Sequence, residues 1–330
     1  MIRRLVGTWR RSRLYRSCLL APTRVLLIRY HSVGDPTEVD RYIDPGLSVP
    51  PEVFADHLAI LRERFDFRTM DEFEGTLSSR ETVRGRPSVF ITFDDGYRDN
   101  VEVALPLLTK AGARATFYIT TAPLQTGKTF WVSELRRIVA ALPHGPLEPA
   151  TGETLEVGHD SKAKDVLRRR LTVRLSAMAS AEREEMLDRL ARAAQIPRGD
   201  GLSRSFMRPC HLRELRRAGM LIGAHTRTHP HLARLDPSHH IEEVLGARRD
   251  LEEILDEPVE HFAYPNPGGG GAVPPVARQA VAKAGFRTAV TSVPAPLPCQ
   301  PDFLRIPRLG IYAGRQQALL YGLIKDVVRP

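Results

Sequence analysis

The chain has 330 residues, of which 42% are hydrophobic and 26% charged, a mixture typical of a globular protein and not of a disordered chain. This length is sufficient for one large domain or two small ones with a sizeable buried core. The net charge of +9 comes from arginines scattered through predicted helices without a nucleic-acid-binding motif, so we interpret it as solvated helix faces and expect no nucleic acid partner.

Residues 1–20 are rich in arginine and predict a basic amphipathic leader, suited to peripheral contact with a membrane surface. The apolar stretch that follows is broken by Pro22 and Arg24 and lacks a small-residue cleavage site, so we do not interpret it as a signal peptide. The sequence has no apolar run approaching the roughly 20 residues of a membrane-spanning helix. Its few cysteines are too widely spaced for a disulfide framework. We therefore expect a cytoplasmic protein, with any membrane contact at the inner face.

Short apolar segments alternate with helical patterns along the rest of the chain. Strands are predicted at residues 24–30, 89–93, 115–120, 220–224, 261–264, 287–291 and 303–308. Helices are predicted at residues 51–64, 100–110, 237–255, 274–284 and 315–328. Strands that are apolar on successive positions are typical of a parallel sheet covered on both faces. This alternation predicts the α/β class and a closed or nearly closed barrel, because no Gly-x-Gly-x-x-Gly motif of a doubly wound sheet follows the first strand.

Residues 125–208 interrupt the alternation. Helices are predicted there at 131–142, 160–177 and 180–194, with a hairpin near 153–157 and no core strand. The apolar faces of these helices are expected to be too thin to form a core by themselves. We therefore predict one barrel domain at residues 21–330 with a helical insertion at about 125–208.

Two carboxylates, Asp94 and Asp95, end the predicted strand 89–93 and are followed by Gly96. Reacting groups collect at the carboxyl ends of strands in parallel α/β barrels, and carboxylates there are suited to bind a metal or to activate water. An Asp-Gly turn in which an aspartate caps the next helix explains the same residues equally well.

Two histidines, His225 and His229, follow the predicted strand 220–224. One helical turn would place imidazoles four residues apart on the same side, whereas the alternative is a pair of surface histidines in a loop. Two histidines and one aspartate form a three-ligand set suited to zinc or a related divalent metal, with open positions for water and substrate. The histidine and aspartate patterns are independent in sequence and complementary in chemistry, so together they favour a metal centre.

Three other strand ends carry candidate residues. Tyr264 and Pro265 precede the glycine run at 268–271, which predicts either a loop that presents backbone N–H groups to an oxyanion or a flexible surface loop. His31 ends the first predicted strand at the same rim of the barrel. Arg308, in the last predicted strand, is suited to brace a catalytic carboxylate through two parallel hydrogen bonds. Ordinary packing at the rim is the alternative for both His31 and Arg308.

Several of these segments resemble the motifs of one family. Residues 92–96 (Thr-Phe-Asp-Asp-Gly) and 225–230 (His-Thr-Arg-Thr-His-Pro) resemble the first two motifs of the polysaccharide deacetylases, the group with the NodB-homology domain, carbohydrate esterase family 4. Further segments resemble landmarks of its bacterial exopolysaccharide branch, namely 30–31 (Tyr-His), 262–265 (Phe-Ala-Tyr-Pro) and 306–308 (Ile-Pro-Arg). The resemblance spans about residues 24–310 and implies a distorted (β/α)7 barrel, the NodB-like fold.

The resemblance also implies metal-dependent hydrolysis of an amide bond. Asp95, His225 and His229 would bind the metal, most often zinc, with Co²⁺, Ni²⁺ or Mn²⁺ as other options. Asp94 would be the general base, and the backbone at Tyr264 would help to bind the oxyanion.

The chain departs from the family pattern at two catalytic positions. Many relatives use the histidine of a C-terminal Leu-x-His motif as general acid, but no histidine follows His261 here. His31 is our substitute candidate for that role. The arginine that many relatives place just before the Tyr-Pro motif is also absent, and Arg308 is our candidate for orienting Asp94 instead.

The predicted function is hydrolysis of the N-acetyl groups of an N-acetylated glycan or a lipid-linked aminosugar. One alternative is a deformylase or another amidase that acts on a lipid-linked aminosugar or a small cyclic amide. A second alternative is a degenerate member of the family that only binds glycans. The complete Asp-Asp-His-His set argues against the second alternative, and the missing C-terminal histidine favours it.

Overall fold

The computed structural model describes residues 24–35, 44–78, 85–126, 129–147, 154–176, 178, 180–199, 205–265 and 273–311. The predicted leader at 1–20, the glycine run at 268–271 and the predicted last helix at 315–328 lie outside the described residues, so those assignments stay predictions. In the described part of the chain, no helix has the length and apolar character needed to cross a membrane.

Strands and helices alternate along most of the chain, as the sequence pattern predicts. The strands are β1 (Val25–Tyr30), β2 (Ser32–Val33), β3 (Ser48–Val49), β4 (Asp66–Arg68), β5 (Ser88–Phe93), β6 (Thr116–Ile119), β7 (Gly145–Leu147), β8 (Leu155–Val157), β9 (Leu221–Ala224), β10 (His261–Ala263), β11 (Thr288–Val290) and β12 (Leu309–Gly310). The α-helices are α1 (Pro51–Arg64), α2 (Phe73–Ser78), α3 (Leu105–Ala111), α4 (Ala122–Thr126), α5 (Trp131–Ala141), α6 (Ser161–Leu175), α7 (Ser180–Ala193), α8 (Pro209–Arg217), α9 (His240–Leu255) and α10 (Pro275–Lys283). A π-helical turn at Asn100–Ala104 precedes α3, and a 3₁₀ turn at Pro237–His239 precedes α9.

The main sheet is a curled parallel sheet that nearly closes on itself. Its strands follow the order β11-β10-β9-β6-β5-β1-β12, with β4 paired to β5, and the pairs are all parallel. Ile306 forms a parallel bridge with Val290 of β11, and β12 pairs with β1 a few residues later. This short segment joins the two edges of the sheet, so the predicted α/β barrel is confirmed.

Alternating residues of the strands face two different cores. Val25, Leu27 and Phe90 belong to a cluster built mainly from residues of β1, β5, β6, β9, β10 and β11, which is the interior of the barrel. The residues between them pack with the surrounding helices. Because successive side chains of a strand point to opposite faces, Arg29 and Thr92 continue the interior set toward the carboxyl ends of β1 and β5. The interior of the barrel therefore becomes polar at that end.

The seventh predicted strand, at 303–308, is wrong in its position. The strand is Leu309–Gly310, and residues before it form a turn that starts at Asp302. The Asp302 side chain accepts a hydrogen bond from the Leu304 N–H at 2.9 Å, and its carbonyl accepts one from the Arg305 N–H at 2.8 Å. Aspartate hydrogen-bonds to nearby backbone groups in this way and competes with strand pairing.

The insertion has a hydrophobic core of its own, so the expectation that its apolar faces are too thin for one is wrong. Helices α5, α6 and α7 share this core with the antiparallel pair β7–β8. The predicted hairpin near 153–157 is therefore confirmed for β8, whereas its partner strand β7 lies earlier, at Gly145–Leu147. The fully enclosed members of this core include Leu135, Leu155, Leu171, Leu175 and Leu187. Each helix contributes only a narrow apolar stripe, but the three stripes pack together and bury one another's side chains in a shared core.

Candidate metal centre and active site

The two adjacent carboxylates at the end of β5 point in different directions. Asp94 continues the pairing of β5 with β1, because its N–H donates to the Tyr30 carbonyl at 3.1 Å. Its side chain therefore points to the interior of the barrel, as that of Thr92 does two residues earlier. Asp95 has a left-handed φ of 79° and is followed by Gly96 with φ 88°, so the chain turns sharply there. Both carboxylates are almost fully buried. Neither caps the following helix, whose N-cap is Asp99, so the capping alternative does not account for them.

We call the surroundings of Asp94 the arginine side of the site. Arg308 is fully buried and binds both oxygens of Asp94, with Nη1–Oδ1 and Nη2–Oδ2 distances of 2.7 Å. The same guanidinium donates to Thr92 Oγ1 at 2.9 Å and to the Thr291 carbonyl at 3.0 Å. A second arginine, Arg29, places Nη1 3.9 Å from Asp94 Oδ2. The predicted bidentate contact of Arg308 with a site carboxylate is therefore present.

This arrangement keeps Asp94 ionised. Burial by itself would raise the pKa of Asp94, but the charges of Arg308, His225 and Arg29 and the hydrogen bonds from Arg308 outweigh it and lower the pKa to about 2. Each carboxylate oxygen retains a further lone pair beyond its hydrogen bond to Arg308. Asp94 is thus a fixed anion that can still accept a hydrogen bond from a molecule in the site.

We call Asp95, His225 and His229 the imidazole side. Asp95 Oδ1 lies 3.5 Å from His225 Nε2 and 3.3 Å from His229 Nε2. This buried oxygen has no hydrogen-bond partner among the described residues. Two ligands held about 2.1 Å from a tetrahedral zinc would lie about 3.4 Å apart, and two nitrogens with one oxygen form a donor set that zinc accepts. The residues present therefore fit a divalent metal.

His225 directly follows β9 and His229 lies in the loop after it, so neither histidine lies in the predicted helical turn. Thr226 and His229 both have left-handed φ values, of 65° and 55°. Glu243 of α9 holds the loop, because its carboxylate accepts hydrogen bonds from the N–H groups of Arg227 at 3.0 Å and Thr228 at 2.9 Å. The prediction that the imidazoles share one side is confirmed, but the predicted reason is wrong.

His225 is oriented by the sheet. Its Nδ1 lies 2.8 Å from the carbonyl oxygen of Ala263, the last residue of β10. A carbonyl only accepts, so Nδ1 carries a proton and donates it, and Nε2 is the ring nitrogen directed toward Asp95. Backbone partners of this kind fix the tautomer of metal-binding histidines.

His31 follows β1 and is close enough to the site for the charges of Arg29, Asp95, Asp94 and Arg308 to affect the pKa of its imidazole. Burial, followed by the charge of Arg29, lowers the pKa of His31 to about 4. His31 is therefore neutral at pH 7 and has to take up a proton before it can deliver one as an imidazolium.

The structure contradicts the predicted oxyanion donor. The Tyr264 N–H donates to the Val290 carbonyl of β11 at 3.0 Å, and the Tyr264 hydroxyl donates to the Leu304 carbonyl at 3.0 Å. Pro265 has no N–H to offer. The backbone donation assigned to Tyr264 is therefore wrong, and a donor from this loop would have to follow Pro265, outside the described residues.

Sequence reasoning missed three residues around the site. Arg29 could have been found from the sequence, because a charged residue inside an otherwise apolar, buried strand requires a partner of opposite charge. Glu243 could not have been found in this way, since its role depends on how α9 packs against the loop that carries His229. Phe130, which opens the insertion, stacks on the His229 ring with a centroid distance of 4.7 Å and an interplanar angle of 24°.

A second group of potential ligands, Asp71, Glu260 and His261, lies at the opposite end of the strands. Here the ligand atoms already have partners. His261 contacts Asp71 Oδ1 and Thr288 Oγ1, both at 2.8 Å, and Glu260 pairs with Arg287 at 2.8 Å. This cluster is a satisfied hydrogen-bond network, in contrast to the open oxygen of Asp95.

Comparison with known families agrees with this geometry. A family model described as polysaccharide deacetylase matches residues 82–145 and 172–289, which is more than half of the chain. The matched ranges contain Asp94, Asp95, His225 and His229. The chain belongs to the polysaccharide deacetylase family, as the sequence motifs predicted.

Individual relatives are more distant. The Bacillus subtilis (strain 168) protein YxkH, whose name places it among the polysaccharide deacetylases, is 30% identical over 99 residues, or 30% of this chain and 32% of that protein. The aligned segment thus spans about a third of this relative. A Streptococcus pyogenes deacetylase, PplD in complex with acetate, superimposes with a TM-score of 0.59 at 18% identity and covers 91% of this chain and 97% of its own. IcaB from Ammonifex degensii superimposes with a TM-score of 0.55 at 16% identity over 91% and 97% of the two chains. These two structures share the fold.

Proposed function

We propose that this protein is a metal-dependent N-deacetylase that hydrolyses acetamide groups of an N-acetylated glycan or a lipid-linked aminosugar. The main support for the proposal is that two adjacent carboxylates have different surroundings, one bound by an arginine and the other facing two imidazoles. Asp95 presents an unsatisfied oxygen to two imidazole nitrogens, while Asp94, the preceding residue, is held ionised by Arg308. Membership of the family supports the reaction class, and the acetate bound to the Streptococcus pyogenes deacetylase is consistent with the proposed product.

The metal ligands are Asp95, His225 and His229, and their nitrogen and oxygen donors favour zinc. When bound there, a divalent metal supplies Lewis acidity that polarises an amide carbonyl and acidifies water. Asp94 accepts the proton of the attacking water, and Arg308 holds its carboxylate in one orientation throughout. Hydrolysis of the amide releases acetate and leaves a free amine.

The leaving nitrogen needs a proton before the C–N bond breaks. His31 is the proposed donor, because it follows β1 at the end of the sheet that carries Asp94 and is close enough for the charge of Asp94 to affect its pKa. The imidazole of His31 is neutral at pH 7, so it has to be protonated during the reaction. The proton that Asp94 takes from the attacking water is the one that passes to His31. His31 thus relays a proton within the reaction and does not store one beforehand.

The experiment compares two isosteric substitutions at neighbouring positions, Asp94→Asn and Asp95→Asn. Zinc content and acetate release from an N-acetylated chitooligosaccharide are measured on the full chain. Asp94→Asn should keep its zinc and lose about 10²- to 10⁴-fold in turnover, the usual contribution of a general base. Asp95→Asn should lose zinc as well as turnover. Treatment of the wild type with a chelator should abolish activity, and added zinc should restore it.

Three results would contradict the proposal. Near-wild-type turnover of Asp94→Asn would exclude it as the base. Release of formate from a formylated aminosugar, without acetate from the acetylated one, would indicate a deformylase. Glycan binding without turnover by the zinc-loaded wild type would indicate a binding protein.

A further inference from the structure

Three aromatic side chains pack together next to the candidate metal ligands, and two of them come from the insertion. Tyr97, Phe130 and Phe206 form a buried hydrophobic cluster of their own, which we call the aromatic cluster. Phe130 packs edge-on against Phe206 at a centroid distance of 4.9 Å and an angle of 72°. Tyr97 lies 5.2 Å from Phe206.

The aromatic cluster lies at the two ends of the insertion, with Phe130 near its start and Phe206 near its end. Phe206 forms an antiparallel bridge with Tyr97, two residues after Asp95. On either side of this bridge, the Arg98 N–H donates to the Ser205 carbonyl at 2.9 Å and the Met207 N–H donates to the Gly96 carbonyl at 3.0 Å. The returning end of the insertion is thus hydrogen-bonded to the turn that carries Asp95.

Phe130, the residue just before α5, contacts the candidate ligand His229. Its ring is stacked on His229 at 4.7 Å and 24°. His229 reaches the site from a loop and has a left-handed φ of 55°, whereas His225 follows a strand and donates to the Ala263 carbonyl. A flat ring against the face of His229 restricts rotation of the imidazole and keeps Nε2 directed toward Asp95.

The aromatic cluster is distinct from the core that holds the insertion together. That core is built from residues of α5, α6, α7 and the β7–β8 pair and does not include Phe130 or Phe206. The aromatic cluster instead joins the two ends of the insertion to the Asp95 turn and to His229. Val132 packs against both clusters, but the direct contacts of Phe130, Phe206 and Tyr97 also reach His229 and the Asp95 turn, which the core of the insertion does not.

We propose that the insertion positions the third metal ligand, with Phe130, backed by Phe206 and Tyr97, holding His229 in the orientation that binds metal. This inference rests on the proposed function, because it assumes that Asp95, His225 and His229 bind a divalent metal. Phe130 is a positioning residue in this scheme, since it acts through His229.

The test measures zinc affinity by competition with a chromogenic chelator, independently of turnover. Phe130→Ala should lower the zinc affinity about 10- to 100-fold, as loss of a partner that orients a metal ligand typically does. Phe130→Leu, which keeps most of the volume but not the flat ring, should lower it less and guards against failure of the alanine variant to fold. The matched control is Leu171→Ala, which truncates a similarly buried residue in the separate core of the insertion. It should lower the unfolding midpoint and leave the zinc affinity of the folded protein unchanged.

A second readout reports the geometry of the site. Cobalt-substituted protein absorbs visible light with a spectrum that depends on ligand arrangement, so Phe130→Ala should change that spectrum and Leu171→Ala should not. Wild-type zinc affinity in Phe130→Ala, alongside loss of zinc in His229→Ala, would overturn the inference and leave the proposed function intact. Equal losses in Phe130→Ala and Leu171→Ala would overturn it in favour of general support by the insertion. Absence of zinc binding by the wild type would overturn both proposals.

Discussion

The arginine side and the imidazole side of the site begin at neighbouring residues and are built in opposite ways. On the arginine side, both oxygens of Asp94 are bound by Arg308, which also donates to Thr92 and Thr291. These four residues lie in strands or directly beside them. On the imidazole side, Asp95 lies in a left-handed turn, and its Oδ1 has no hydrogen-bond partner among the residues described.

The difference shows how one Asp-Asp pair can serve two purposes. A buried carboxylate is costly unless a cation compensates it. The chain supplies that cation for Asp94, so this carboxylate stays ionised without a metal. For Asp95 the chain supplies the imidazoles of His225 and His229, at 3.5 and 3.3 Å from its Oδ1, a donor set that fits a divalent cation. The arginine side should therefore contribute mainly to stability and proton transfer, and the imidazole side mainly to metal affinity.

The largest expected effect is on the arginine side. Arg308→Met removes both hydrogen bonds to the buried Asp94 and leaves only Arg29, at 3.9 Å, to compensate its charge. The free energy of unfolding should therefore fall by about 3 kcal/mol, the lower end of the range for breaking a buried ion pair. Zinc affinity should change little, because Arg308 does not contact the three ligands. Urea unfolding of the metal-free protein measures the first effect, and chelator competition measures the second.

A matched control uses another arginine that binds a carboxylate through two nitrogens. Arg278 donates to both oxygens of Asp302 at 3.0 and 3.1 Å, but this pair is exposed at the surface. Arg278→Met should leave stability almost unchanged, since exposed ion pairs contribute little. Equal destabilisation by Arg308→Met and Arg278→Met would contradict the view that burial makes the Asp94 pair special.

The chemistry of the site could be predicted from the sequence where it follows a buried strand. Asp94, Asp95, His225 and His229 interrupt apolar runs at points where the fold class places reacting groups, so residue type and position were enough to predict that these side chains come together; their roles in metal binding and proton transfer stay proposals. Arg308 was assigned its contact correctly although its strand was misplaced. Local hydrogen bonding by Asp302 shifts the strand to Leu309–Gly310 but leaves Arg308 at the same end of the barrel.

What could not be predicted depends on how separate elements pack. Tyr264 donates its N–H to Val290 because of the register between β10 and β11, which its own sequence does not reveal. The core of the insertion forms only when three narrow apolar stripes meet. Phe130 and Glu243 act on the histidine loop across long stretches of sequence, and neither belongs to a recognisable motif.

Acid should weaken the arginine side in a defined pH range. The pKa of Asp94 is about 2 in the folded protein, against about 3.9 in an unfolded chain. Between these values the unfolded chain binds a proton and the folded protein does not, so stability falls as the pH decreases from about 4 to about 2. The contribution lost is about 2 kcal/mol.

The measurement is urea unfolding of the metal-free protein at several pH values across this range, for the wild type and for Asp94→Asn. The substituted protein has no carboxyl group to titrate at this position, so its stability should decline less steeply. Identical pH dependence in the two proteins would show that Asp94 is not held at a lowered pKa.

The smallest expected effect concerns the loop of the imidazole side. Glu243→Gln removes the charge that strengthens the hydrogen bonds from the N–H groups of Arg227 and Thr228, so the loop should hold His229 less firmly. We expect zinc affinity to fall about tenfold, the lower end of the range for partners that orient metal ligands. The adjacent Glu242→Gln is the control, because Glu242 is exposed and contacts only the Arg227 side chain among the described residues. A loss of affinity confined to Glu243→Gln would show that the loop backbone sets the metal site. Equal losses in both variants would instead indicate a general effect of surface charge on cation binding. The view that Glu243 sets the metal affinity by holding the loop of His229 would then be wrong.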